Sequence, residues 1–429
     1  MRVVGFLLSI VFLTFGGTLS AQSVIPLWEK GGLHAAYVVP RDDLDRVDVQ
    51  LIVLSGAYDD PDPSGTAHLT EHLAAFSADM TVLRRPRQRD VNATTTNVST
   101  VYTNSGLPSE IETLMQLSRA VLDRPNLPPF FAESEIGILQ RETLLRERQS
   151  SYRWLRRSVL QNLYGSLRGR ANNTIEDLPK LSLEQAYAFH EAHYAPSNVT
   201  LIVSGKIKPR AAAELVAKYF GDTLPSAVPA KPWLDHKPDP ALRSVERIQS
   251  DKLMRDTIMF AKFVDFEDRP TSIDMQGDFF IATGIFQERL TKALYLEDER
   301  FLAVNISMFF ARNADMELVV DMELMPGVSL DAAHRSLTEA IANLLNDPIS
   351  KEEIREMRQK EIVSAQLSAN RPSNFLSFLS NVASDGFPPI SPSVFERTLA
   401  ATTDQEVIDF MKMIVKPSAT SVILAEKVD

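Results

Sequence analysis

The 429 residues contain no cysteine. Disulfides, thiolate metal sites, iron–sulfur clusters and cysteine nucleophiles are thereby excluded. Any bound metal must be held by imidazole and carboxylate. Histidine is scarce as well, seven in all, so each candidate ligand can be weighed singly. There is no basic excess. Lys and Arg number 45 against 56 Asp and Glu, a net charge of −11, which is the wrong balance for a general nucleic-acid binder. Glycine and proline, 17 and 25 residues, are too few for a collagen-like or low-complexity chain. After the N-terminal segment no apolar run is long enough to span a bilayer.

What is present is a globular composition, 44% hydrophobic and 24% charged, long enough for two or three domains. The chain starts Met1-Arg2, continues with an apolar run from Val3 to about Phe15, and ends that segment in small residues up to Ala21. A basic start, a short hydrophobic stretch and a small-residue end predict a secretory signal peptide over residues 1–21. In a protein without cysteine, export fits a periplasm better than a disulfide-rich extracellular fluid. The expected location is therefore periplasmic or secreted.

Hydrophobic periodicity organises the remainder. Residues 45–55 begin with alternation and turn apolar, as in a strand partly buried in a sheet. The cluster Asp59-Asp60-Pro61-Asp62-Pro63-Ser64-Gly65 reads as a turn, and a helical pattern follows from about Thr66 to Ala78. Val91 to Tyr102 alternates and is rich in Thr and Val, which predicts one strand. Helices follow near 109–123 and 131–150, a strand at 200–205 and a helix at 211–220. Five prolines between Pro225 and Pro240 predict a stiff, extended linker over 223–245. It separates residues 22–222 from a second half, 246–429, with a similar mixture: a strand at 257–264, helices at 272–296, strands at 301–323, helices at 329–347 and 351–368, and a last strand near 421–425. Two similar halves suggest an ancient duplication.

The chemistry concentrates at His68-Leu69-Thr70-Glu71-His72. Residues four apart on a helix stack on one side, so both imidazoles can reach a single ion. Glu71 lies beside them. Leu69, Leu73 and Phe76 form an adjacent apolar stripe that would anchor the helix. Zinc suits this set, being content with nitrogen and oxygen and needing three protein ligands plus an open position for catalysis. Water in that position has a pKa near ~7, and Glu71 could take its proton as it attacks a carbonyl. The order His-x-x-Glu-His inverts the common zincin motif and marks the inverzincins.

The surroundings resemble the M16 family of pitrilysin, insulin-degrading enzyme and the mitochondrial processing peptidase. The resemblance is carried by Gly32-Leu33, Gly65-Thr66-Ala67-His68-Leu69-Thr70-Glu71-His72-Leu73, Asn92-Ala93-Thr94-Thr95 with Thr100-Val101-Tyr102, and Tyr194-Ala195-Pro196-Ser197-Asn198-Val199 with Val203-Ser204-Gly205. It covers the first half well and the second faintly. It implies an α+β fold of two similar domains of the LuxS and processing-peptidase type, each a mixed sheet with helices packed mainly on one face. It implies a third zinc ligand on a later helix, here Glu142, with Glu147 as the alternative, and a supporting carboxylate seven residues earlier, Glu135. It also implies an edge strand, Asn92, Ala93 and Thr94, that takes an extended peptide as an added strand. The run Arg84-Arg85-Pro86-Arg87-Gln88-Arg89 stands where relatives have a helix; it reads as a solvated loop or as a contact for a partner or an acidic peptide.

One family feature is missing. Active relatives place an Arg and a Tyr, seven apart, in the C-terminal domain. Counting on from Gly284-Ile285-Phe286-Gln287-Glu288-Arg289-Leu290, those positions are Tyr295 and Leu302, or Val304 after a shift. The family's halves enclose a chamber in which one half serves the other's zinc. The resemblance therefore implies a heterodimer, with a homologous partner supplying Arg and Tyr and this chain the metal. The alternative is a non-catalytic peptide-binding or assembly subunit. His190 and His193 form a second pair in a segment that is structural in relatives. His34, His236 and His334 stand alone and are read the same way.

Overall fold

The computed structural model describes residues 23–28, 30–82, 90–149, 151–165, 177–224, 227–228, 230–266, 276–310 and 315–428. The expected signal segment and the Arg84–Arg89 run lie outside them. The first half contains strands β1 (Ile25–Pro26), β2 (Ala35–Pro40), β3 (Val47–Val53), β4 (Asp90–Thr95), β5 (Thr100–Gly106) and β6 (Val199–Gly205). Its helices are α1 (Thr66–Val82), α2 (Ile111–Ala120), α3 (Pro129–Gln149), α4 (Ser151–Tyr164), α5 (Leu183–His193) and α6 (Pro209–Phe220). The second half contains β7 (Arg243–Ser250), β8 (Thr257–Asp265), β9 (Phe301–Phe310), β10 (Asp315–Leu324) and β11 (Thr420–Lys427). Its helices are α7 (Gln276–Thr291), α8 (Leu330–Asn343), α9 (Lys351–Ala369), α10 (Pro372–Ser384), α11 (Pro392–Ala401) and α12 (Asp404–Val415).

The two sheets run β1-β2-β6-β3-β5-β4 and β7-β11-β8-β10-β9. From β2 and from β7 onward they repeat one topology. The first pair is parallel, β2 with β6 and β7 with β11, and every later pair is antiparallel. This is the expected α+β arrangement of two similar domains. By the repeat, β4 and β9 are corresponding edge strands. The central strand β3, Val-Asp-Val-Gln-Leu-Ile-Val, is buried along its whole length. Asp48 receives Arg46 and Ser105, and Gln50 donates its amide to Thr103 while its buried Oε1 has no hydrogen-bond partner among the described residues.

Each sheet carries a helical layer from its own half on one face and a borrowed helix on the other. Val39, Ile52 and Ile202 of the first sheet, with Leu54 just past β3, pack against Phe375, Leu376, Leu379 and Ala383 of α10. In return Leu155, Val159, Leu160 and Leu163 of α4 pack against Met259, Ala261, Phe263 and Ile423 of the second sheet. Polar ties cross the same boundary. Glu317 on β10, almost fully buried, accepts a hydrogen bond from Tyr58 at 2.8 Å and faces Arg156 of α4 at 3.5 Å.

The proline-rich segment, read from the sequence as a stiff, extended linker, is docked on the first half through Trp233 and Lys231. Trp233 is 1% exposed and packs edge-on against Tyr58, ring centroids 5.4 Å apart. Its indole N–H donates to Asp59 at 2.8 Å, and Lys231 pairs with the same carboxylate at 3.1 Å. A tryptophan offers large apolar area and one donor, and here both are used to fasten the segment to the turn at 57–59. Trp233→Ala is expected to cost about 3–5 kcal/mol, read as a lowered denaturant midpoint at unchanged m. A loss below about 1 kcal/mol, the range of ordinary surface changes, would show that the segment is not anchored there. Another difference lies at 91–102. The single expected strand is a hairpin, β4 and β5, joined by a turn at 96–99.

Candidate metal centre

The helix carrying the motif is started by the loop before it. Asp60 accepts from the backbone N–H of Gly65 and of Ala67, both at 2.6 Å, which satisfies donors a helix N-terminus leaves open. Gly65 has φ +101°, a conformation that suits glycine and few other residues. The apolar stripe behaves as expected. Leu69 and Leu73 are fully buried against Ala132 and Leu139 of α3 and Ala186 of α5. Phe76 is partly buried and meets Phe131 edge-on at 5.8 Å. With that stripe inward, the adjacent side of α1 faces a gap toward α3 and β4.

Three groups line the gap from α1. Ligand atoms of His68, Glu71 and His72 all lie within 4.8 Å of one another. The two imidazole rings are 4.9 Å apart at 83°, and each is only about an eighth exposed. From α3, Glu142 Oε2 stands 4.0 Å from His68 Nε2, and Glu135 Oε2 stands 3.0 Å from His72 Nδ1. Seven residues are close to two helical turns, so these carboxylates share a face and meet the two histidines in antiparallel order. Glu147 does not join them; it pairs with Arg157 of α4 at 3.1 Å. From β4, Thr95 Oγ1 donates to Glu71 Oε2 at 2.6 Å. Burial pushes the Glu71 carboxyl above its usual range, and the hydrogen bond from Thr95 and the neighbouring His72 pull it back.

Two contacts were not legible in the motif. Arg146, one turn beyond Glu142, holds its Oε2 at 3.1 Å; the i,i+4 spacing was available as a signal. Thr95 was noted only as the end of an edge-strand motif, and nothing in its spacing from Glu71 announces contact. Asn92, Ala93 and Thr94 lie on β4, which among the described residues pairs with β5 alone and is the edge of its sheet. Asn92 and Thr94 are exposed and Ala93 is half-buried.

Three other histidines are engaged separately. His190 Nε2 donates to the Val121 carbonyl at 2.9 Å and the ring stacks on Tyr194. His193 Nδ1 meets Ser55 Oγ at 2.9 Å and stacks on Phe189. His236 Nε2 meets the Tyr164 carbonyl. In the second half the corresponding helices close on each other. A Cβ on Gly284 of α7 would lie 2.5 Å from Met357 Sδ of α9, so methionine stands between the helices there. Tyr295 and Leu302 are exposed, and Val304 packs against the second core.

Residues 180–361 match a family model described as "Peptidase M16 inactive domain". That span holds none of His68, Glu71, His72, Glu135 or Glu142, so the word "inactive" does not bear on the gap described above. An uncharacterized zinc protease of Bacillus subtilis, YmfH, is 25% identical over 199 residues, 45% of this chain and 45% of that protein. The chain thus matches less than half the length of that relative. Among solved structures, a protease from Helicobacter pylori superposes with a TM-score of 0.78 at 15% identity, covering 94% of this chain and 100% of that one. A peptidase M16 inactive domain from Pseudomonas fluorescens gives 0.76 at 16%, covering 95% and 98%. The periplasmic protease PqqL of Escherichia coli gives 0.71 at 16%, covering 94% of this chain and 47% of that one.

Proposed function

We propose, for a chain that is M16-like in sequence and fold, that it is a zinc-dependent endopeptidase acting on short or unfolded peptides within an enclosed chamber. The observation that carries the reading is convergence: His68, Glu71 and His72 within 4.8 Å, with Glu142 brought to 4.0 Å from a separate helix. Two nitrogens and an oxygen, with a fourth position left to water, are the donor set of a catalytic zinc. His68, His72 and Glu142 would hold the ion. Zinc held there supplies Lewis acidity, acidifying water and polarising a peptide carbonyl.

The chain's own residues supply the remainder. Glu135 accepts the Nδ1 proton of His72, which fixes the tautomer and leaves Nε2 unprotonated toward the gap. Glu71 has one oxygen engaged by Thr95 and the other free, and the free oxygen takes the proton of the attacking water and returns it to the leaving amine. The open edge of β4 offers Asn92, Ala93 and Thr94 to an extended peptide through main-chain hydrogen bonds, which give affinity with little sequence preference. Export through residues 1–21 would place this activity in a periplasm.

No guanidinium stands at Tyr295, Leu302 or Val304, and loss of an oxyanion donor typically costs roughly 10²–10³ in rate. The active form in this reading is a heterodimer whose homologous subunit brings Arg and Tyr. The same absence favours the second reading, a peptide-binding or assembly subunit without catalysis. Zinc analysis of the purified chain, with quenched-peptide cleavage measured with and without such a subunit, separates the two. The expected result is one zinc per chain, lost in His72→Ala, and cleavage that rises roughly 10²–10³-fold when the subunit is added. A chain that takes up no zinc leaves only the second reading.

A further inference from the structure

Thr95 is the last residue of the edge strand and the only described group outside α1 and α3 shown bonding to Glu71. Its single hydroxyl proton points at Glu71 Oε2 over 2.6 Å, the usual length of a charge-assisted O–H···O bond. The backbone on its far side is fixed. Thr96 N donates to Ser99 O at 2.8 Å, Ala57 N donates to Thr96 O at 2.9 Å, and Tyr58 N donates to Asn97 O at 2.8 Å. Thr96 Oγ1 also accepts from the N–H of Val98 and Ser99. On its near side the strand has one free edge. Thr95 therefore joins a pinned turn to an open strand, and its side chain touches the carboxylate between the two histidines.

Resting on the peptidase reading above, we infer that Thr95 is a positioning residue that couples occupancy of the β4 edge to the aim of Glu71. A peptide added to the edge completes the strand's main-chain bonding and restrains it. That restraint fixes the Thr95 hydroxyl, which holds Oε2 and leaves Oε1 turned toward the water it must deprotonate. A catalytic base delivers its effect only within hydrogen-bond reach of the proton it takes, so the hydroxyl acts through geometry. Peptides that span the edge strand are then turned over faster than short ones that reach the scissile position without covering it.

The test compares Thr95→Val, which keeps shape and loses the hydroxyl, with Thr95→Ser, which keeps it. For Thr95→Val, kcat on a peptide long enough to span β4 falls roughly 10–100-fold, as for other residues that orient a reacting group. KM, zinc content and binding of the same peptide to the metal-free chain stay within about twofold, well inside the tenfold that 1.4 kcal/mol represents. Thr95→Ser recovers most of kcat. Unchanged kcat in Thr95→Val overturns the inference, and so does a loss that appears in KM, in zinc content or equally in Thr95→Ser. Glu71→Gln in the same assay keeps the readings apart: if it abolishes cleavage while Thr95→Val does not affect it, the peptidase reading stands and this inference falls. A zinc-loaded wild-type chain that cleaves nothing with its partner present overturns both.

Discussion

Glu71→Gln is expected to keep zinc and peptide binding and to lose hydrolysis, by roughly 10²–10⁴-fold, the range that a positioned general base contributes. Glutamine has the same shape, and its side-chain oxygen can still accept the Thr95 hydrogen bond that Glu71 receives at 2.6 Å. The helix stripe of Leu69 and Leu73 is untouched, so α1 stays seated. What disappears is the ability to take a proton. Zinc measured on the purified variant, with a quenched-peptide assay alongside wild type, gives both readouts. A variant with more than a tenth of wild-type activity would remove Glu71 as the base and turn attention to the other acids of the gap, Glu142 and Glu135.

Acid is expected to unfold this protein through two histidines that take no part in that chemistry. Burial lowers His190 and His193 to a pKa of about 4 each, against about 6.5 in an unfolded chain. The folded values are the lower ones, so the unfolded state binds more protons between these limits. Stability is therefore full above about pH 6.5 and is lost as pH falls toward 4. At 1.36 kcal/mol per unit, each residue accounts for about 3 kcal/mol at the lower limit, and both together for a large share of a typical domain's stability. Urea unfolding at a series of pH values reads this directly. Replacing both rings by glutamine is expected to flatten the profile while lowering the plateau. A wild-type profile that stays level from pH 6.5 to 5 would mean that the rings are protonated as easily folded as unfolded.

Legibility in the sequence followed the range of the interactions. The motif helix was readable because ligand spacing, the apolar stripe and the turn before it are all local to about twenty residues. The supporting carboxylates were readable through their seven-residue spacing and the family resemblance, and α3 brings them to the predicted histidines at 3.0 and 4.0 Å. The hairpin at 90–106 was not readable as two strands. Its turn contains neither glycine nor proline. It is built from Thr96, whose hydroxyl accepts from Val98 and Ser99 N–H, a side-chain turn that leaves the Thr–Val alternation intact. The docking of the proline-rich segment was hidden for another reason. Prolines set local stiffness, but Trp233 and Lys231 find Asp59 about 170 residues away, and no window of sequence contains both. Thr95 and Glu71 are only 24 residues apart, yet nothing in that spacing announces their contact, which arises because the sheet edge lies beside the helix.

The exchange of α4 and α10 bears on how such a chain could have arisen and how it must fold. A half synthesised alone would leave one sheet face stripped of its cover and one greasy helix without a seat, both open to aggregation. Neither copy is a finished module to which the other was appended. A unit of this kind is covered on both faces only when it is paired with a second, and one polypeptide supplies that second unit at once.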